Sequence, residues 1–173
     1  MVIASFADDK VWTERARALI VRDLYPRLAY EGQFVSIAGA SAGSGFLQRI
    51  AHIDAVVQTG PGVSVTVEEK IVRRKYDCFA IESHSNLERG EQDGWIFNST
   101  ADMLIYAFGI DHGLECWVMP LPALRRWFIG RMSTFRIHDV ANGWGGQAVY
   151  HTRVYLVPIR MVSCQKSQFI LKW

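Results

Sequence analysis

Asp54, Glu68 and Lys70 are three polar side chains set in "HIDAVVQTGPGVSVTVEEKIVRR", residues 52–74, where eight of the other 20 positions are valine or isoleucine. Side chains alternate along an extended strand. In "VSVTVEEKIV", Ser64, Thr66, Glu68, Lys70 and Val72 therefore point one way, and Val63, Val65, Val67, Glu69 and Ile71 the other. Glu68 and Lys70 share a face, with Cα atoms roughly 7 Å apart at two strand steps. Glu69 is expected to turn away from them toward solvent. Gly60-Pro61-Gly62 is a turn signal between two apolar runs, and pairing of those runs would bring Asp54 to the same spot as Glu68. Two carboxylates suit a small hard cation such as Mg²⁺, with Mn²⁺ able to substitute, and leave the other positions to water and a phosphate oxygen. The lysine then orients or helps deprotonate the attacking water and offsets charge on a pentavalent phosphorane.

The elements that must position these residues follow from periodicity. Trp12, Ala16, Leu19, Ile20 and Leu24 recur at helical spacing, with Asp8 or Asp9 as caps, so a first helix runs to about Tyr25, where Pro26 ends or kinks it. "QFVSIA" is a short strand candidate. "IDAVVQ", "VSVTVEEKIV" and "CFAIESHS" read as three successive strands, hence a meander. Asn98 or Ser99 would cap a second helix over "STADMLIYAFGI", which leads to a strand "LECWVMP" and to a third helix, "PALRRWFIGR", opened by Pro122. A further strand, "AVYHTRVYLVP", follows the glycine-rich "NGWGGQ".

Composition bounds the answer without deciding it. A chain of 173 residues, half of them hydrophobic, is expected to be a single domain spanning 1–173 with one core. Nineteen basic against 17 acidic residues give a net charge of +2, so a polyanion would be met by a local patch and not by the field of the whole molecule. Cys78, Cys116 and Cys164 are odd in number and widely spaced, which argues against a disulfide framework or a zinc site and for a reducing cytoplasm. The start "MVIASFADDK" has no signal-peptide pattern, and no apolar window is long enough to span a bilayer, so no membrane partner is expected.

A D…ExK set on a hairpin preceded by a helix resembles the PD-(D/E)XK, or restriction-endonuclease-like, nuclease superfamily. The match covers roughly residues 8 to 120. A closer likeness is to phage and prophage proteins of that type, carried by "DAVV", "EEKI", "GWI", "ADMLIYAF" and "LRRWF" and extending to about "YHTRVYLVP". No proline precedes Asp54, whose neighbour is Ile53, a departure at a position that varies widely in the superfamily. The resemblance implies an α/β fold with a core of helix, three-stranded meander, helix and strand, plus an extra C-terminal helix and strand. It implies a Mg²⁺-dependent DNA endonuclease in which Asp54 and Glu68 hold the metal and Lys70 positions the water. A carboxylate on the first helix often joins such a site, which makes Glu14 a further ligand, and Glu82 on the next strand is another acidic candidate. For a phage-encoded chain the compartment would be the bacterial host cytoplasm, and pairing of two copies as a homodimer would serve cutting of both strands. The rival reading is a non-catalytic nuclease fold that grips nucleic acid or a host protein, as in phage counter-defence.

Arg73, Arg74 and Lys75 directly follow the ExK strand, and Arg125 and Arg126 sit together on the third helix; both clusters are candidates for gripping phosphates. "GASAG", residues 39–43, matches the nucleophile-elbow pattern G-x-S-x-G, but the chain is short for an α/β hydrolase and the surroundings read as loop. The five histidines show no metal-ligand spacing, and Trp95, Trp127, Phe128 and Trp144 read as core aromatics.

Overall fold

The computed structural model describes residues 6–36, 53–90, 92–144 and 147–173; the G-x-S-x-G segment lies outside the described residues. The protein is a mixed α/β structure with two sheets and few helices. Backbone contacts divide the chain into two compact units, the first built from 1–75, 100–119 and 166–173 and the second from 76–99 and 120–165.

The first unit opens with helix α1 (Phe6–Leu19), which passes through a π-helical turn, Ile20–Leu24, into the single-turn helix α2 (Tyr25–Leu28). Pro26 stands at the start of α2, where its missing N–H is no loss. Ala16, Leu19, Ile20, Leu24 and Tyr25 are all buried, so the apolar stripe continues through the change of helix type.

This stripe packs on a six-stranded sheet. Its strands are β1 (Phe34–Ser36), β2 (Ala55–Gly60), β3 (Val63–Val72), β6 (Met103–Ile110), β7 (Gly113–Pro120) and β10 (Ser167–Lys172), in that spatial order. β2 and β3 form the expected hairpin, with Ala55 opposite Val67 and Val57 opposite Val65. Gly62 takes a positive φ of 70° in the turn, which suits a residue without Cβ after Pro61. Ala55, Val57, Val67, Ile105, Ala107, Leu114, Cys116 and Leu171 close the core beneath the helix.

Two sequence expectations give way here. "ADMLIYAF" is not a helix: Met103–Ile110 is strand β6, parallel to β3, with Leu104 beside Glu68 and Tyr106 beside Lys70. Its run of apolar residues reflects burial on both faces, which leaves no period by which to tell strand from helix. The meander also has a different membership: β1, β2 and β3 form the antiparallel run, and "CFAIESHS" becomes β4 (Cys78–Asn86) of a different sheet.

That second sheet has the order β5 (Gln92–Asp93), β4, β9 (Gln147–Pro158), β8 (Arg136–Trp144), all antiparallel. With it go the short helix α3 (Trp95–Asn98) and helix α4 (Leu121–Ile129). Phe128 of α4 stacks on Phe135 and meets Tyr155 of β9 edge-on, at ring-centroid distances of 6.2 and 5.3 Å. Among the described residues, no helix is long and apolar enough to cross a membrane.

Candidate functional site

Glu68 and Lys70 meet on one face of β3, with Lys70 Nζ 2.6 Å from Glu68 Oε1. The period-two expectation thus holds for this pair. Asp54 enters from the start of β2. Its backbone N–H bonds to the carbonyl of Val67 at 2.7 Å, and its Oδ2 accepts the backbone N–H of Glu69 at 2.8 Å. The aspartate therefore closes the open end of the hairpin ladder with a side chain where a backbone carbonyl would otherwise serve. Ala55 opposite Val67 sets the register that puts Asp54 level with Glu68.

All three acids of this segment are withdrawn from water, with Asp54 6%, Glu68 2% and Glu69 5% exposed. Burying carboxylates is costly unless each oxygen finds a partner. Glu68 Oε2 finds none among the described residues. Burial pushes the Glu68 carboxyl up to about 7; Lys70 pulls it back, and the charges of Asp54 and Glu69 add to the rise. A second carboxylate nearby, a lysine on one oxygen and a bare second oxygen form a donor set that a divalent cation would fit. Among the described residues, no group of three or more His, Cys, Asp or Glu side chains is placed to hold a metal, so the fit rests on two carboxylates.

Glu69 is where the sequence misleads. It does not face solvent: it points beneath the helix, where Arg17 Nε donates to Oε2 at 2.8 Å and the Tyr25 hydroxyl donates to Oε1. Burial still raises its carboxyl above the ordinary range, against the pull of Arg17 and Tyr25. The same burial, with the Glu69 charge beside it, lifts the Tyr25 phenol. Cys116 below the same face is pushed up to about 12 by burial and the neighbouring acids, so it stays a thiol. Arg17, Tyr25 and Glu69 form a polar post between α1 and β3, opposite in facing to Glu68 and Lys70. Arg17 carried a signal that the sequence offered, since it lies three and seven residues before Ile20 and Leu24, the spacing that shares a helical face.

The remaining candidates stand on other elements. Glu14 is not gathered into the cluster; its side chain is 64% exposed and sits 4.0 Å from Lys10, one helical turn away. Glu82 lies on β4, in the second unit. Arg73 and Arg74 are exposed on the bend after β3, while Lys75 is held by Glu115 at 2.5 Å. Arg125 serves the second unit itself, donating from Nε to the carbonyl of Ile96 at 2.5 Å and from its terminal nitrogen to the carbonyl of Ser99. It ties α4 to the end of α3, and only its neighbour Arg126 is exposed.

Fold and site together define a mixed α/β protein with two buried carboxylates and a lysine gathered on a β-hairpin. No protein-family profile matches this chain, and no curated protein or solved structure matches it at a significant level.

Proposed function

We propose that the chain is a metal-dependent nuclease that hydrolyses phosphodiester bonds in DNA, using Asp54, Glu68 and Lys70. The observation that carries this reading is the buried Glu68 carboxylate, which has Lys70 on one oxygen and, among the described residues, no partner on the other. A helix laid on an antiparallel hairpin supports a restriction-endonuclease-like core for this part of the chain, although β6 stands where that core calls for a helix. Asp54 and Glu68 would hold Mg²⁺ or Mn²⁺. When bound, the cation supplies Lewis-acid charge to the scissile phosphate and acidifies water. The residues do the rest. Lys70 Nζ, held by Glu68 Oε1, would orient the attacking water as an ammonium donor and offset charge on the phosphate in the transition state. The backbone N–H of Glu69 holds Asp54 Oδ2, which fixes the aspartate carboxylate in place.

The test pairs a binding measurement with cleavage. Calorimetric titration should show Mn²⁺ binding to the wild-type chain, nearly unchanged binding to Lys70→Ala, and none to Glu68→Ala. Supercoiled, linear, single-stranded and branched DNA should be cut by the wild type in Mg²⁺, about 10²-fold more slowly by Lys70→Ala, and not by Glu68→Ala. If every substrate stays intact in both cations while one of them is bound tightly, the chain is a nuclease-fold binder and the hydrolytic reading fails.

A further inference from the structure

At the end of β3, beyond Lys70, the first unit carries a cavity of about 550 Å³ walled by Trp12, Arg73, Arg74, Lys75, Gly109 and Trp173. That size falls in the range of about 300–1,000 Å³ common for small-ligand sites. A smaller hollow of about 210 Å³ shares Trp173 and adds Arg15 and Arg22. Five basic side chains thus line the two hollows, and Asp111 is the only acidic side chain among their lining residues. Some of that charge is already committed. Lys75 is held by Glu115, and Arg22 by Asp23 at 2.7 Å and by the carbonyl of Lys172 at 3.1 Å. Arg73 and Arg74 line the larger hollow and are exposed on the bend.

The aromatic walls are held in place. Trp173 is 39% exposed, and the Arg15 guanidinium carbon lies 4.4 Å from its ring centroid, within cation–π range. Trp12 packs against the core under α1 and lies so close to β6 that a Cβ on Gly109 would come within 2.7 Å of its Cζ2 and 2.2 Å of the Arg73 carbonyl. A glycine at 109 is what lets indole, strand and basic bend converge.

We propose that this cavity is a nucleotide subsite, in which the Trp173 ring takes the face of a base and Arg73 and Arg74 take the phosphate. A flat π-system joined to a phosphate matches an indole wall beside two guanidinium groups better than either a bare anion or an apolar ligand would. The ligand is a nucleotide, either free or as one residue of a single strand. The inference rests on the nuclease reading only in taking DNA as its first probe, because the site needs neither a cation nor bond cleavage.

Binding to the full-length chain in EDTA tests it, with three probes: thymidine monophosphate, a short oligodeoxythymidine, and an abasic deoxyribose-phosphate strand of equal length. The wild type should prefer the thymidine strand over the abasic one by about tenfold, within the range of one base stacked on an aromatic ring. Trp173→Ala should erase that preference and Trp173→Phe should keep it. The double change Arg73→Ala, Arg74→Ala should weaken both strands alike and flatten the salt slope by about 1.4, two contacts at roughly 0.7 each. Thymidine monophosphate competing as well as the strand assigns the site to free nucleotides; binding of the strand alone assigns it to nucleic acid. Equal binding of thymidine and abasic strands by the wild type, an unchanged preference in Trp173→Ala, or no binding of any probe overturns the proposal. Loss of cleavage with base preference intact counts against the nuclease reading alone, and cleavage without base preference counts against this one alone.

Discussion

At the scale of single residues, a buried glutamate with one bare oxygen ties stability to pH. The Glu68 carboxyl rises from an ordinary 4.5 to about 7 in the folded chain, so between those values the native state holds a proton that the unfolded chain has lost. Its contribution is therefore fully present below pH 4.5 and disappears as pH rises through 7. In EDTA, the thermal midpoint of the wild type should fall across that window relative to Glu68→Gln, and Mg²⁺ above pH 7 should restore the wild type but not the variant. Parallel pH profiles for the two proteins would remove Glu68 as the cause. Glu69 makes a different prediction because its charge is answered from within. Arg17→Met leaves a buried carboxylate with only Tyr25, and the loss should lie toward the lower end of the roughly 3–5 kcal/mol seen for broken buried pairs, since Arg17 keeps 26% of its side-chain exposure. The loss should shrink in acid, where Glu69 takes up a proton, and urea unfolding of Arg17→Met with and without Glu69→Gln would show it. Alternation alone made Glu68 and Lys70 legible as partners. Nothing in alternation says what covers the other face, which is why Glu69 reads as a solvent residue until α1 is laid over it.

At the scale of elements, the parallel pairing of β3 with β6 has to start somewhere, and a side-chain clamp marks the place. Asp102 Oδ2 accepts both the backbone N–H and the hydroxyl of Thr66, each at 2.8 Å, while the Asp102 N–H bonds back to the Thr66 carbonyl at 3.0 Å. Asp102→Ala removes two of these bonds and should cost about 1–3 kcal/mol, at roughly 0.5–1.5 each. Hydrogen exchange should then speed up first at Val67 and Met103, the first pair of the ladder; uniform loosening of the sheet would contradict the clamp. The hairpin itself was legible, because Gly60-Pro61-Gly62 sits between two β-branched runs. β6 was not, since "MLIYAFGI" is apolar throughout and carries no period. The departure of β4 to another sheet was hidden as well, because strand order depends on pairings that local sequence does not encode.

At the scale of the whole molecule, the first unit is assembled from three separated stretches of chain, the last of them only residues 166–173. β10 within that stretch pairs antiparallel with β7 and buries Leu171 in the core shared by α1 and β3. Leu171→Ala should cost about 2–5 kcal/mol, the range for a large core side chain. Because the core is continuous, the loss of exchange protection should reach β3, about a hundred residues earlier in sequence; protection lost in β10 alone would show that the unit does not open as one body. Such long-range closure also predicts slow folding relative to a local helical bundle. Trp12 and Trp173 illustrate the limit of reading by sequence: they stand at opposite ends of the chain and meet at one cavity only because β10 returns to the sheet.

Two adjacent glutamates buried on opposite sides of one strand make β3 self-proofreading. If it slid by a single residue, Glu68 would take the place beneath Arg17 and Tyr25, and Lys70 would enter the apolar side where Ile71 now packs. A slide by two would keep every facing but set an ammonium where Glu68 stands beside Asp54. Each wrong setting strands a charge away from its counterpart, so only one alignment satisfies both sides at once. The two-residue turn at Pro61-Gly62 is then a ruler for the chemistry on the far end of the hairpin, and its length is under as strict a constraint as the identity of the carboxylates.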